Sequence, residues 1–176
     1  TYVMRITIIA LGFYHSLKAS DMGASVARFP NPKFRREGDS SPEQARIREY
    51  LLAAALHQEH VVRSYIEDYA MHPDATMGGK PTALCYSLMK PNIKLATYLL
   101  EQGADHQSVD ALGMTPLHYA AMGGCPACVF ALLRRGASRA AVNCKGETPV
   151  DLAASVAPQG PSHLLLFEYG RPALPQ

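Results

Sequence analysis

Two cysteines three residues apart, Cys125 and Cys128 in "GGCPACVF", have the spacing in this chain best suited to chemistry. A C-x-x-C pair at a helix start serves thiol–disulfide exchange, because the helix N-terminus favours the thiolate. No βαβ pattern surrounds the pair, so small, apolar structural cysteines are the expected reading and a thiol redox protein the alternative. Zinc would need two further ligands. His118, Cys144 and Cys85 could supply them, but no second C-x-x-C or paired histidine at finger spacing accompanies them.

The other reactive side chains do not assemble into a catalytic pattern. His57 and His60 fall at the junction of a helix pair and His72 begins a loop, while His15, His106 and His163 have no partner at recognisable spacing. Glu67, Asp68, Asp105, Asp110, Glu147 and Asp151 sit at helix ends or in turns, where capping and solvation account for them. "MGGKPT" at 77–82 lacks the G-x-x-x-x-G-K-[ST] spacing of a phosphate loop and follows no strand pattern. The chain is therefore expected to be no enzyme, with no metal, cofactor or small-molecule substrate.

The elements that carry these residues repeat. Thr82, Thr115 and Thr148 are 33 residues apart, and the same step relates Leu84, Leu117 and Val150, Ser87, Ala120 and Ala153, and the pairs Leu99-Leu100, Leu132-Leu133 and Leu165-Leu166. A period of this length marks stacked units that bury their apolar faces only against neighbours. Within one unit Thr115 is the expected N-cap and Pro116 the first helical residue. Gly123-Gly124 break that helix, a second helix carries Val129, Leu132 and Leu133 on one face, and Gly136 ends it. Residues 138–147 are polar and turn-like, as a projecting finger would be.

The stretch "DALGMTPLHYAAMGG" (110–124), together with the second helix of its unit, resembles the ankyrin repeat family, through Asp110, Gly113, Thr115, Pro116, Leu117, His118, Ala120, Ala121, Gly124, Val129, Leu132, Leu133, Gly136 and Ala137. The preceding unit departs from the pattern with Ala83 and Cys85 where Pro and His are expected, and the next unit degenerates around "VAPQGPSHLLLFEYG". The resemblance implies an all-α solenoid of helix pairs with short hairpin-like fingers. It implies that the His118 imidazole bonds neighbouring backbone and organises adjacent fingers, and that Cys128 takes a position filled by a buried Val. It also implies a concave protein-binding face made by the fingers and first helices. Carried over by position, that face comprises Ala111, Leu112, Met114, Met122 and Arg135 in the best-matched unit, Cys144, Lys145, Glu147 and Ser155 in the next, and Met89, Lys90 and Gln102 in the previous one.

Upstream, residues 41–71 read as a degenerate capping helix pair. Ser41 is its N-cap and Pro42 its first residue, with Leu51, Leu52, Ala55 and Leu56 giving one apolar face and Val62, Tyr65, Ile66 and Tyr69 a second. The expected organisation is an extension at 1–40, a repeat domain at 41–170 with units near 77–109, 110–142 and 143–170, and a tail at 171–176. At 48% hydrophobic and 18% charged residues the chain can bury a sizeable core, and a net charge of +2 selects no partner.

The extension carries Arg5, Lys18, Arg28, Lys33, Arg35 and Arg36 against Asp21 through residue 36, which favours an acidic or membrane-surface neighbour. Its uncharged run between Arg5 and Lys18 is 12 residues. As a helix that is roughly 18 Å, against a hydrocarbon core of about 30 Å. Val3, Ile6, Ile9 and Phe13 are accordingly expected to anchor the chain on another protein, or in or at a membrane, through residues 1–18, with packing back on its own repeat stack as the remaining alternative. "RFPNPKFRREG" could contact phosphates and bases, yet the repeats add no basic stripe, so a nucleic-acid partner is not expected. The chain opens on Thr1, as initiator removal, leader cleavage or truncation would leave it, and the segment's basic, Ser-containing composition resembles a mitochondrial presequence. Four cysteines without a secretory signal favour a reducing compartment, and the location stays open between a mitochondrial membrane complex and the cytoplasm. The expected function is a non-catalytic protein-binding module, an accessory or scaffold subunit of a larger complex, with a free cytosolic adaptor or inhibitor as the alternative.

Overall fold

In the computed structural model residues 41–169 are described. The anchoring residues Val3, Ile6, Ile9 and Phe13, the rest of the 1–40 extension and the 171–176 tail lie outside them. Over the described residues the chain forms helices α1 (Pro42–Ala55), α2 (Glu59–Glu67), α3 (Ala83–Met89), α4 (Ile93–Glu101), α5 (Pro116–Gly123), α6 (Pro126–Arg134), α7 (Pro149–Val156) and α8 (Pro161–Glu168), and no strand. None of these helices is long and apolar enough to cross a membrane.

The helices start where side chains can satisfy orphan backbone donors. Ser41 Oγ accepts the Gln44 N–H at 3.3 Å ahead of Pro42. Thr82, Thr115 and Thr148 occupy the same position before α3, α5 and α7. Thr148 Oγ1 accepts the Asp151 N–H at 3.3 Å, and the Asp151 carboxylate accepts the Thr148 N–H at 2.8 Å. The Thr148 hydroxyl also donates to that carboxylate at 2.7 Å, and this bond, joined by the one from the Thr148 N–H, holds the Asp151 carboxyl below the usual carboxylate range. The second helix of each pair starts differently: Asn92 Oδ1 accepts the Leu95 N–H at 3.1 Å before α4, and Cys125 Sγ accepts the Cys128 N–H at 3.2 Å before α6.

Successive helix pairs stack in register. The first helices α1, α3, α5 and α7 form one row, and α2, α4, α6 and α8 each pack behind their own partner, with α6 touching both α4 and α8. One continuous core results. Leu84, Leu88 and Leu117 of the first row and Leu95, Leu99, Val129, Leu132 and Leu166 of the second have no exposed surface. Burying each such side chain contributes about 1.5–3 kcal/mol, and no helix pair could enclose them alone. At the α2–α4 edge the joint is polar, with the Tyr98 hydroxyl donating to Glu67 Oε1 at 2.9 Å and the Arg63 guanidinium 3.9 Å from the Tyr98 ring centre.

The capping pair turns a different face inward from the one its apolar residues indicate. Tyr50, Leu51, Ala53 and Ala54 are buried in α1, whereas Leu52 and Ala55 are half-buried and Leu56 is exposed. The Tyr50 hydroxyl explains the rotation by donating to the Pro73 carbonyl at 3.0 Å, which draws the ring into the core. On the second helix Val62 and Tyr65 are buried, Ile66 is partly covered, and Tyr69, one residue past the α2 C-cap, is exposed.

Gly123 at the end of α5 sets the spacing between α3 and α5. A Cβ there would lie 2.3 Å from the Leu88 carbonyl oxygen, a backbone atom in the last turn of α3. Gly123→Ala gains up to about 1 kcal/mol of helix propensity. Overpacking against the backbone costs about 1–3 kcal/mol, so the clash wins. The variant is expected to unfold at a lower temperature than the parent, by circular dichroism melts of the full chain. An unchanged or raised midpoint would show that the two helices can separate at no cost.

Candidate protein-binding face

Each finger is built around one short polar side chain. Asp110 Oδ1 accepts the N–H groups of Leu112 and Met114 at 2.8 and 2.9 Å, and the Asp110 N–H donates to the Met114 carbonyl at 3.1 Å. Its second oxygen takes the Tyr119 hydroxyl, and burial together with this carboxylate keeps the phenol protonated. One period later Asn143 Oδ1 accepts the N–H groups of Lys145 and Glu147 at 2.9 and 3.0 Å, with the Asn143 N–H on the Glu147 carbonyl at 3.0 Å. A carboxylate and an amide thus close the same loop, because each offers an oxygen at the same reach from Cα. The fingers are hairpin-shaped turns without paired strands.

Neighbouring fingers are tied through their backbones. The Ala111 N–H donates to the Gly79 carbonyl at 2.8 Å, and the Cys144 N–H donates to the Leu112 carbonyl at 2.9 Å. Gly113, at φ 72°, is needed twice over: its backbone is left-handed, and a Cβ would meet the Cys144 nitrogen at 3.0 Å.

His118 joins a helix start to the next finger. The ring is fully buried, its Nδ1 accepts the Thr115 N–H at 3.1 Å and lies 2.8 Å from the Thr115 hydroxyl, and Nε2 is 3.1 Å from the Glu147 carbonyl oxygen. An Nδ1 that accepts a backbone donor leaves the ring proton on Nε2, where it is donated to Glu147. The Thr115 hydroxyl is therefore engaged by the ring. Burial holds the imidazole pKa below its usual 6.5, against the opposing pull of the Glu147 carbonyl and the Asp110 and Glu147 charges.

The face expected from the sequence is only partly assembled. Ala111, Leu112, Cys144 and Lys145 are exposed on the fingers, Lys90 is exposed after α3 and Ser155 is exposed on α7, with its hydroxyl donating to the Leu152 carbonyl at 2.8 Å. Met89 and Met122, at the ends of α3 and α5, are half-buried against the core. Met114 departs from expectation: it is 7% exposed, with its sulfur accepting from Asn143 Nδ2 at 3.5 Å, so it supports the finger from beneath. Glu147 is held by its neighbours, its carboxylate accepting from Asn143 Nδ2 at 2.9 Å. Gln102 and Arg135 are the C-caps of α4 and α6, on the second row of helices and outside the fingers and first helices.

Two finger residues were absent from the expected face. Val109 and Val142 are 64% and 58% exposed, beside Leu112 at 57%. They precede Asp110 and Asn143 and stand 33 residues apart, so the period could have found them.

The thiols divide by environment. Cys85 is buried with its thiol pushed up to about 12 by burial, Cys128 is buried and also pushed up, Cys125 is partly exposed and Cys144 is exposed. Among the described residues no group of three His, Cys, Asp or Glu side chains is placed to hold a metal ion.

The family profile described as ankyrin repeats (3 copies) matches residues 50–139 and 92–170, well over half of the chain. The chain belongs to the ankyrin repeat family. Ankyrin repeats form protein–protein interaction modules that are typically non-catalytic, and that coarse function applies here. Protein fem-1 homolog A of Danio rerio is 50% identical over 44 residues, which cover 25% of this chain and 7% of that protein. The matched stretch is thus a small part of that relative's length.

The two histidines with lowered pKa values, His118 and His57, give a signed pH dependence. Burial lowers both, with Lys90 opposing the charge on His57. Below about pH 6.5 the unfolded chain takes up protons that the folded rings refuse, so their contribution to stability is present above that pH and is lost as pH falls through the lowered folded values. Denaturant unfolding of the full chain across this window is expected to show stability falling with acid. His118→Ala should flatten the slope to what His57 leaves and cost about 1–3 kcal/mol at neutral pH, from lost bonds and an unpartnered Glu147 carbonyl. A parent whose stability is flat below pH 6.5 would refute the assignment.

Proposed function

We propose that this chain is a non-catalytic accessory or scaffold subunit that holds a protein partner along its fingers, within a larger complex. The observation that carries the reading is the row of exposed aliphatic side chains, Val109, Leu112 and Val142, on fingers locked to one another by backbone hydrogen bonds. An apolar edge on a rigid support binds with little ordering cost. Ala111, Cys144 and Lys145 are exposed on the same fingers, Lys90 and Ser155 are exposed at the far ends of first-row helices, and Met89 and Met122 offer adaptable thioethers at such helix ends. The basic, apolar segment 1–18 is read as a second attachment, to a neighbouring subunit or a membrane surface, through Val3, Ile6, Ile9 and Phe13. A mitochondrial membrane complex suits its composition.

Two preparations test this. Full-length protein and a version lacking residues 1–40 are purified natively in mild detergent, and their masses and co-purifying proteins are compared. Co-purification with a large complex, lost on truncation, is the expected result. If both versions run as the same monomer, attachment through the extension fails and the free-adaptor alternative takes its place. In the full chain Leu112→Arg, an exposed substitution worth at most about 0.5 kcal/mol to stability, should weaken capture of the co-purifying partner about tenfold or more. Undiminished capture by a folded Leu112→Arg protein would remove the fingers from the interface.

A further inference from the structure

The Cys125–Cys128 pair has a geometry that the repeat architecture does not require. Cys125 is the N-cap of α6, partly exposed, and its sulfur accepts the Cys128 N–H at 3.2 Å. Pro126 opens the helix between them, and Cys128 sits in its first turn, 1% exposed. The Cys125 sulfur thus lies over the first turn of the helix, held 3.2 Å from the backbone nitrogen of Cys128. One thiol is accessible, the other is shielded behind it, and the rigid turn between them is closed by proline. Neither remaining cysteine shares this arrangement: Cys85 is buried with its sulfur 3.4 Å from the Thr82 hydroxyl, and the exposed Cys144 thiol lies 3.8 Å from the Ala111 carbonyl.

We propose that Cys125 and Cys128 form a thiol–disulfide exchange site that takes small-molecule disulfides of the glutathione type. Cys125, as thiolate, attacks one sulfur of the disulfide; the S–S bond breaks and one small thiolate leaves and is protonated. The mixed disulfide at Cys125 is then attacked by the Cys128 sulfur, whose proton is released. The Cys125–Cys128 bond forms and the second small thiol departs. The pair is oxidised by two electrons and the small disulfide is reduced to two thiols. Burial disfavours the Cys128 thiolate, which fixes the order of attack. Nothing in this depends on the partner bound at the fingers.

The test uses the full chain incubated across a series of reduced-to-oxidised glutathione ratios, quenched with iodoacetamide and digested for mass spectrometry. The peptide spanning 125–128 should lose two hydrogens in oxidised glutathione and regain them in reduced glutathione. In the fully reduced protein Cys125 should alkylate about tenfold or more faster than Cys128. Cys128→Ala should accumulate a glutathione adduct at Cys125. In Cys125→Ser, whose hydroxyl preserves the helix cap, Cys128 should stay unmodified while circular dichroism shows the helices intact. The proposal is overturned if the pair remains a dithiol when Cys144 is fully glutathionylated, or if it oxidises only after the helices are melted in urea.

Discussion

No helix pair of this protein can cover its own leucines. Leu84 and Leu117 are sealed only because the next first-row helix lies against them, and Leu99, Leu132 and Leu166 continue the same seam behind. Helices must approach closely for such sealing, and the first row is lined accordingly with Ala83, Ala120, Ala121 and Ala153, all buried. Gly123 is the extreme case, where even a methyl group has no room. The threonine caps, the proline starts and the finger turns all serve to present these small surfaces at the correct height.

The polar chemistry of the stack is directed inward. Asp110 and Asn143 fold the fingers, His118 connects one repeat to the next finger, and Asp151 caps α7. Side chains that would attract suspicion in an enzyme are thereby committed to backbone partners. What reaches the outside of the fingers is a mixed surface, Val109, Leu112 and Val142 beside Cys144 and Lys145, which suits contact with another protein.

Much of the architecture was legible because the 33-residue step fixes which positions are equivalent. The cap and the proline start follow from residue types at those positions, and the bonding of the His118 imidazole to neighbouring backbone follows from the family resemblance. Orientation was harder to read. Met114 occupies a position open to solvent in the expected pattern, yet Asn143 of the next finger draws its sulfur inward. Gln102 and Arg135 are polar and exposed, as residues of the expected face would be, but they terminate the second-row helices. In the capping pair, where the period is weakest, a hydroxyl seeking the Pro73 carbonyl decided which side of α1 faces the core. A repeat specifies register, whereas the side a residue shows depends on neighbours that single-chain periodicity does not contain.

The bonds between units also share a length scale. Ala111 to Gly79, Cys144 to Leu112, His118 to Glu147 and Arg139 to the Leu166 carbonyl each close a loop of about one repeat, and Cys144 to Ala111 at 33 residues is among the longest. Such a chain has low contact order, so folding need not wait for distant segments to meet. As it leaves the ribosome, each new repeat finds its docking surface already built by the one before, and the stack can grow in the direction of synthesis.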